Sequence, residues 1–294
     1  MTTSVMKEST LSRGVRRISL ETEEAPVSGL LLEPEDAPAR AAVIAVHGGG
    51  VNAHYFDGQA HPQVSLLALG ARLGFSVLAV DRPGYGRYAD RFPLGQRLVD
   101  QAATLREALH DFRTRHDTGA GMFLLAHSYG GKLALTTAAD DTAGDLLGLD
   151  ISGMGHRYAV HPDQLADPHG KGRWERTWGG LGLYPPGTFQ LSSTMVSPMP
   201  RNELTDAAAW PRLFDGVAGQ IRIPVRLTFA EHEHWWRHDD QSLADLVSRL
   251  SGAPRVVVDR QPNAGHNISL GWAARSYHLR SIAFLEDCLA QREG

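Results

Sequence analysis

Residues Phe123 to Gly131 read Phe-Leu-Leu-Ala-His-Ser-Tyr-Gly-Gly, and Ser128 is the position in this chain best placed to do chemistry. A short apolar run, a tight turn and a helical stretch around a serine make the context of a nucleophile elbow. Such a turn strains the nucleophile, so the residues two before and two after it must be small. Here they are Ala126 and Gly130, the alanine standing where glycine is the commoner choice. The turn lifts the hydroxyl above the strand ends and aims the next helix's N-terminus at it. That terminus offers backbone N–H groups and a dipole that favour developing negative charge. A serine hydroxyl is a poor nucleophile unless a base takes its proton, and the base needs an acid to orient it.

Both partners can be found downstream. Arg255 to Asp259 is a β-branched run that reads as a strand, and Asn263-Ala-Gly-His266-Asn267 follows as a turn into the final helix. His266 is the expected general base. Ile223 to Ala230 reads as another strand, followed by Glu231-His-Glu233-His-Trp-Trp236. A strand, a small residue, two variable residues and then the acid places that acid on Glu233. Glu231, and Asp150 at the end of Leu146 to Asp150, stay open as alternatives. Upstream, the buried-strand run Ala41 to Val46 leads into His47-Gly48-Gly49-Gly50. Glycines there let N–H groups approach a substrate oxygen without side-chain obstruction. The expected oxyanion donors are Tyr129 with Gly49 or Gly50. The segment lacks the Lys-Ser/Thr ending of a phosphate loop.

With these residues in hand the chain resembles the α/β-hydrolase superfamily, in its serine esterase and lactonase-like branch, over about residues 15 to 291. The resemblance rests on His47-Gly-Gly-Gly50, Asp81-Arg-Pro-Gly-Tyr-Gly86, Ala126-His-Ser-Tyr-Gly130, Glu233 and Gly265-His266, in that order. It implies a triad of Ser128, Glu233 and His266 and a mostly parallel, doubly wound sheet. It also implies a lid inserted after the sixth strand. Asp81 is read as structural.

The elements that must position these groups alternate between strand and helix, as a parallel sheet covered on both faces requires. Residues 15–33 read as an antiparallel pair. Leu98, Ala102, Leu105, Leu109 and Phe112 recur at helical spacing and predict a helix over 96–115. Leu243 to Leu250 mark another helix, and residues 272–291 the last. The pattern breaks between 154 and 215, where aromatics, prolines and glycines mix. The expected organisation is an α/β-hydrolase core of 15–153 and 216–294, a lid of 154–215 and a tail of 1–14. Trp174, Trp178, Tyr184 and Met195 are expected in a partly apolar pocket roof. His54, Tyr55 and Phe56 are expected at its entrance. His127 is read as a packing or hydrogen-bonding residue whose side chain points away from Ser128.

Composition narrows the classes. The chain has 294 residues, 42% hydrophobic and 21% charged, enough for a large core. A formal charge of −4 gives no reason to expect nucleic acid or an anionic membrane surface as a partner. The one cysteine, Cys288, excludes an internal disulfide and a cysteine metal cluster. His232, His234 and His238 with Glu231 and Glu233 resemble metal ligands. A His-x-His pattern on a loop is weak, however, and the triad already uses Glu233, so no metal is expected. No signal peptide and no apolar stretch of about 18 residues is visible, so a cytoplasmic protein is expected. The expected function is cofactor-free hydrolysis of an ester or lactone of a small, partly apolar molecule. A thioesterase, a carbon–carbon bond hydrolase, a lyase or perhydrolase, and a non-catalytic binding protein remain alternatives. The sequence is silent on oligomeric state.

Overall fold

A computed structural model describes residues 10–161, 164–165 and 172–293. Most of the expected tail and residues 162–163 and 166–171 of the expected lid lie outside the described residues. Eight strands form one sheet: β1 (Arg16–Leu20), β2 (Val27–Leu32), β3 (Ala42–Val46), β4 (Ser76–Val80), β5 (Met122–His127), β6 (Leu146–Ser152), β7 (Val225–His232) and β8 (Val256–Gly265). Their spatial order is β1-β2-β4-β3-β5-β6-β7-β8. β1 and β2 enter antiparallel, as the sequence predicts, and β3 to β8 run parallel.

The central strands are apolar along most of their length because helices cover both faces of the sheet. Successive residues serve opposite faces. Ile44, Leu78 and Leu124 pack beneath α2 (Leu98–Arg115), α3 (Tyr129–Ala139) and α7 (Asp240–Arg249). Val43, Val77 and Phe123 pack toward α1 (Leu66–Arg72) and α8 (Ala274–Glu293). Cys288 is buried in α8. Among the described residues no helix is long and apolar enough to cross a membrane.

The segment between β6 and β7 is not patternless. It contains α4 (Arg173–Trp178), the single turn α5 (Thr188–Leu191) and α6 (Arg201–Val217), which runs past the expected boundary at 215. Pro211 disguises α6 in the sequence, since it removes one N–H and normally breaks a helix. The carbonyl left without that partner, four residues back at Ala207, accepts a hydrogen bond from Tyr158 Oη at 2.7 Å. Trp210 and Phe214 on α6 are fully buried in the core. Asp206 completes the docking by accepting the Leu98 N–H at 2.6 Å, which caps α2 where Arg97 offers no capping side chain.

Candidate active site

Ser128 lies between β5 and α3 with φ 53° and ψ −114°, a conformation costly for a non-glycine residue. Two close approaches enforce the turn. A Cβ at Gly130 would stand 2.3 Å from Val46 O, and one at Gly48 would stand 3.1 Å from Ser128 Cβ. The glycine loop after β3 is therefore pressed against the start of α3.

The pairing of β7 with β8 sets Glu233 beside His266. After a register shift, His232 pairs with Gly265, so the next residues, Glu233 and His266, leave the sheet side by side. His266 Nδ1 lies 2.7 Å from Glu233 Oε2, and His266 Nε2 lies 3.1 Å from Ser128 Oγ. Glu233 Oε1 accepts the Trp235 N–H at 2.9 Å, which fixes the carboxylate plane. With the carboxylate at Nδ1, that nitrogen carries the proton and Nε2 faces the hydroxyl as an acceptor.

The other two acid candidates are elsewhere. Asp150 lies inside β6, fully buried and ion-paired with Arg226, which also reaches Asp259 at 2.8 Å. Glu231 is exposed and accepts the Asn263 N–H at 2.7 Å. Around this turn the side chains alternate outward and inward. His232 and His234 are exposed, Glu233 is buried, and His238 stacks on Phe229.

Of the N–H groups expected to serve as oxyanion donors, those of Gly49 and Tyr129 stay open. Gly50 does not fit that expectation, because its N–H donates to Tyr85 Oη at 3.1 Å. The N–H groups of Gly49 and Tyr129 have no partner among the described residues, Tyr129 because it opens a helix. His47 is buried and neutral: burial and the nearby Arg82 charge push its pKa well down. Arg82 N–H donates to His47 Nε2 at 3.1 Å, so the proton sits on Nδ1, 2.8 Å from Gly48 O.

His127 packs closer to the site than expected. Its ring stacks on Tyr55 and lies 4.8 Å from the His266 ring, with Nδ1 3.2 Å from Ser152 Oγ. Burial and the neighbouring His266 hold its pKa well below the usual range. Gly153 leaves room for both imidazoles, since a Cβ there would meet His127 at 2.9 Å and His266 at 3.0 Å.

The expected pocket residues divide by location. Tyr55 is fully buried beneath His127 and Phe56 is fully buried beside it, so neither stands at an entrance. Both belong to the apolar core on the α1 and α8 face of the sheet. His54 is partly exposed, hydrogen-bonded to Asn52. Tyr184 is 4% exposed and Met195 5%, so little of either is open to a ligand. Trp178, Tyr184 and Phe189 form an edge-to-face cluster, with the 48% exposed Trp174 against Phe189. This cluster packs on the His266 turn. Asn267 Nδ2 donates to Thr177 O, the Trp272 N–H donates to Leu183 O, and a Cβ at Gly265 would meet Tyr184 Oη at 2.9 Å.

On the opposite wall the segment Thr194–Met199 runs along the glycine loop. Asn52 N–H donates to Met195 O and Ser197 N–H to Gly50 O, both at 3.0 Å. The Met199 side chain lies over Gly49, where a Cβ would meet its sulfur at 3.0 Å. The sequence places Met199 in the same insertion as Met195 and the aromatics of the expected pocket roof. Nothing in its sequence neighbourhood distinguishes it from the other residues of the insertion.

Residues 43–275 match the alpha/beta hydrolase family. No curated protein matches the chain. Among solved structures, a thermostable carboxyl esterase from Bacillus coagulans superposes with a TM-score of 0.69 at 16% identity, covering 95% of this chain and 100% of that one. A soluble variant of monoglyceride lipase from Saccharomyces cerevisiae gives 0.68 at 12% identity, covering 93% and 95%. An N-acyl homoserine lactonase gives 0.63 at 16% identity, covering 93% and 97%. At these identities the likeness speaks for the fold, and the match across most of the sequence assigns the chain to the α/β-hydrolase family.

Proposed function

We propose that this protein is a serine hydrolase that cleaves a carboxylic ester or lactone through an acyl-enzyme. The observation that carries the reading is His266 held between Ser128 Oγ at 3.1 Å and Glu233 Oε2 at 2.7 Å. Ser128 Oγ attacks the carbonyl carbon while its proton passes to His266 Nε2. Glu233 stabilises the resulting imidazolium, and the Gly49 and Tyr129 N–H groups hold the oxyanion. Collapse breaks the bond to the leaving oxygen, which takes the proton from His266. Water, deprotonated by the same histidine, then releases the acid and restores Ser128. One oxyanion donor is worth about 3 kcal/mol of transition-state stabilisation.

The insertion is read as a cap. It touches the oxyanion side through Met199 and the base side through Leu183 and Thr177, so a substrate reaching Ser128 must pass beneath it. The apolar character of Met199 favours a partly apolar acyl group. The structural neighbours include a carboxyl esterase, a monoglyceride lipase and an N-acyl homoserine lactonase, and carrying the bond class in those names to this chain completes the proposal. Labelling with a fluorophosphonate, together with turnover of matched ester, lactone and thioester substrates, tests it. Ser128→Ala should abolish both labelling and turnover. Substantial hydrolysis by that variant would rule out the covalent route.

A further inference from the structure

We propose that Glu203, on helix α6 of the insertion, is a positioning residue for the oxyanion hole, acting through Arg82 and Tyr85. The inference rests on the serine-hydrolase reading of the site. Glu203 and Arg82 are 0% and 1% exposed and form a two-point ion pair. Glu203 also accepts from Tyr85 Oη at 2.8 Å and from Gln101 Nε2 at 3.3 Å. The two side chains it holds grip the glycine loop. Arg82 Nε donates to His47 O at 2.9 Å and Nη2 donates to Gly48 O at 3.0 Å. Tyr85 Oη accepts the Gly50 N–H at 3.1 Å. Backbone groups on both sides of Gly49 are therefore fixed, and the Gly49 N–H is left for a ligand.

The charge balance makes Glu203 more than a spacer. A guanidinium buried this deeply is costly without a paired anion, and removing one partner of a buried pair leaves the other uncompensated. Without the carboxylate, Arg82 is driven toward water or a new partner and its hold on the two carbonyls loosens. Asp206 provides an internal contrast. It lies one turn further along α6, is equally buried and also ties the helix to the core, through Arg97 and the Leu98 N–H. Its hydrogen bonds do not reach the glycine loop. Anchoring of α6 and positioning of the oxyanion loop are thus carried by different carboxylates.

The test compares Glu203→Gln, Tyr85→Phe and Asp206→Asn, each first checked for cooperative melting. Three quantities are read: kcat and KM for a short aryl ester, the affinity of a trifluoromethyl ketone, and amide hydrogen exchange of residues 47–51. The ketone adds to the serine and presents an oxyanion. Glu203→Gln and Tyr85→Phe should each lower kcat by about tenfold or more, with KM within about twofold. Ketone affinity should fall by the same factor and exchange at 47–51 should quicken. Asp206→Asn should melt lower yet keep kcat, ketone affinity and loop exchange. If Glu203→Gln does not fold, Tyr85→Phe decides, because it leaves the Arg82–Glu203 pair intact. Folded variants with unchanged kcat and exchange would overturn the proposal, as would an equal kinetic loss in Asp206→Asn. A wild-type protein that neither turns over esters nor binds the ketone would sink the hydrolase reading, and loop exchange would still judge the positioning role.

Discussion

Lys132 Nζ donates to Tyr158 Oη at 2.8 Å, and that hydroxyl in turn donates to the Ala207 carbonyl left open by Pro211. A lysine of α3, one turn beyond Ser128, is thereby tied to the insertion. The ammonium sits among the rings of Tyr129, Tyr158, Trp210 and Trp236, 5.3 to 5.7 Å from their centroids. Glu203, Asp206 and Arg82 are charged groups facing it, and among the described residues no carboxylate bonds it directly. Desolvation dominates and brings its pKa down from 10.5 to about 7.

That displacement predicts a stability change with a definite sign. Between pH 7 and 10.5 the unfolded chain binds a proton that the folded chain does not, so stability rises with pH across this window. Below pH 7 the lysine is charged in both states and the whole penalty is present. From pH 7 to 9 the gain should be about 2 kcal/mol, at about 1.4 kcal/mol per unit of displacement. Lys132→Met removes the titrating group while keeping an apolar chain among the rings. Urea unfolding at pH 7, 8 and 9 should give a rising midpoint for the wild type and a flatter one for the variant. Parallel curves would mean that Lys132 stays charged throughout.

Glu233→Gln is predicted to cost up to ~10⁴-fold in kcat, the loss seen when a triad imidazole is held in the wrong tautomer. The Trp235 N–H demands an oxygen at the Oε1 position, so the glutamine amide nitrogen must face His266 Nδ1. His266 Nδ1 is then forced to accept from the amide, so Nε2 carries the proton and cannot take one from Ser128. Asp150→Asn should behave oppositely. It weakens a buried pair with Arg226, so about 3–5 kcal/mol of stability is at stake, while the folded enzyme keeps its kcat. Steady-state rates corrected for folded fraction separate the two. A dead Asp150→Asn beside an active Glu233→Gln would move the acid to β6.

What could be read from the sequence was what local geometry dictates. The elbow around Ser128 needs small residues at fixed offsets, so Ala126 and Gly130 announce it. The turns carrying Glu233 and His266 follow runs readable as strands at Ile223–Ala230 and Arg255–Asp259, but β7 and β8 run on to His232 and Gly265, past both expected ends. The antiparallel entry at 15–33 was visible too, and α2 follows from its helical periodicity. The hold of Glu203 and Arg82 on the glycine loop was not legible, because Glu203 stands 121 residues from Arg82. Nothing in a run such as Arg201-Asn-Glu-Leu-Thr marks one carboxylate for burial. The position of Tyr55 misled for a related reason: it follows the glycines in sequence, yet the short 3₁₀ turn at Ala53–Phe56 turns it beneath His127. The helix α1 did carry a signal, since Ser65 accepts the Ala68 N–H as its N-cap, but seven residues give little periodicity to read.

Selectivity should be set by the insertion residue that faces the oxyanion side and not by the one buried in its aromatic cluster. Met199 lies over Gly49, beside the place where a bound carbonyl and its acyl substituent would sit. Met199→Ala opens space there, and each methylene a substrate can bury in it gains about 0.8 kcal/mol. The ratio of kcat/KM for a butanoate ester to that for the matching acetate should therefore rise by about tenfold. Tyr184 makes its contacts with Trp178, Phe189 and the turn at Gly265, and is only 4% exposed. Tyr184→Ala should cost about 3–5 kcal/mol of stability, as large buried aromatics do. It should also lower kcat for both esters alike by loosening the turn that carries His266, leaving the ratio near that of the wild type. An unchanged ratio in Met199→Ala would return Met199 to a packing role. A ratio shifted in Tyr184→Ala alone would place the acyl group on the base side of the site.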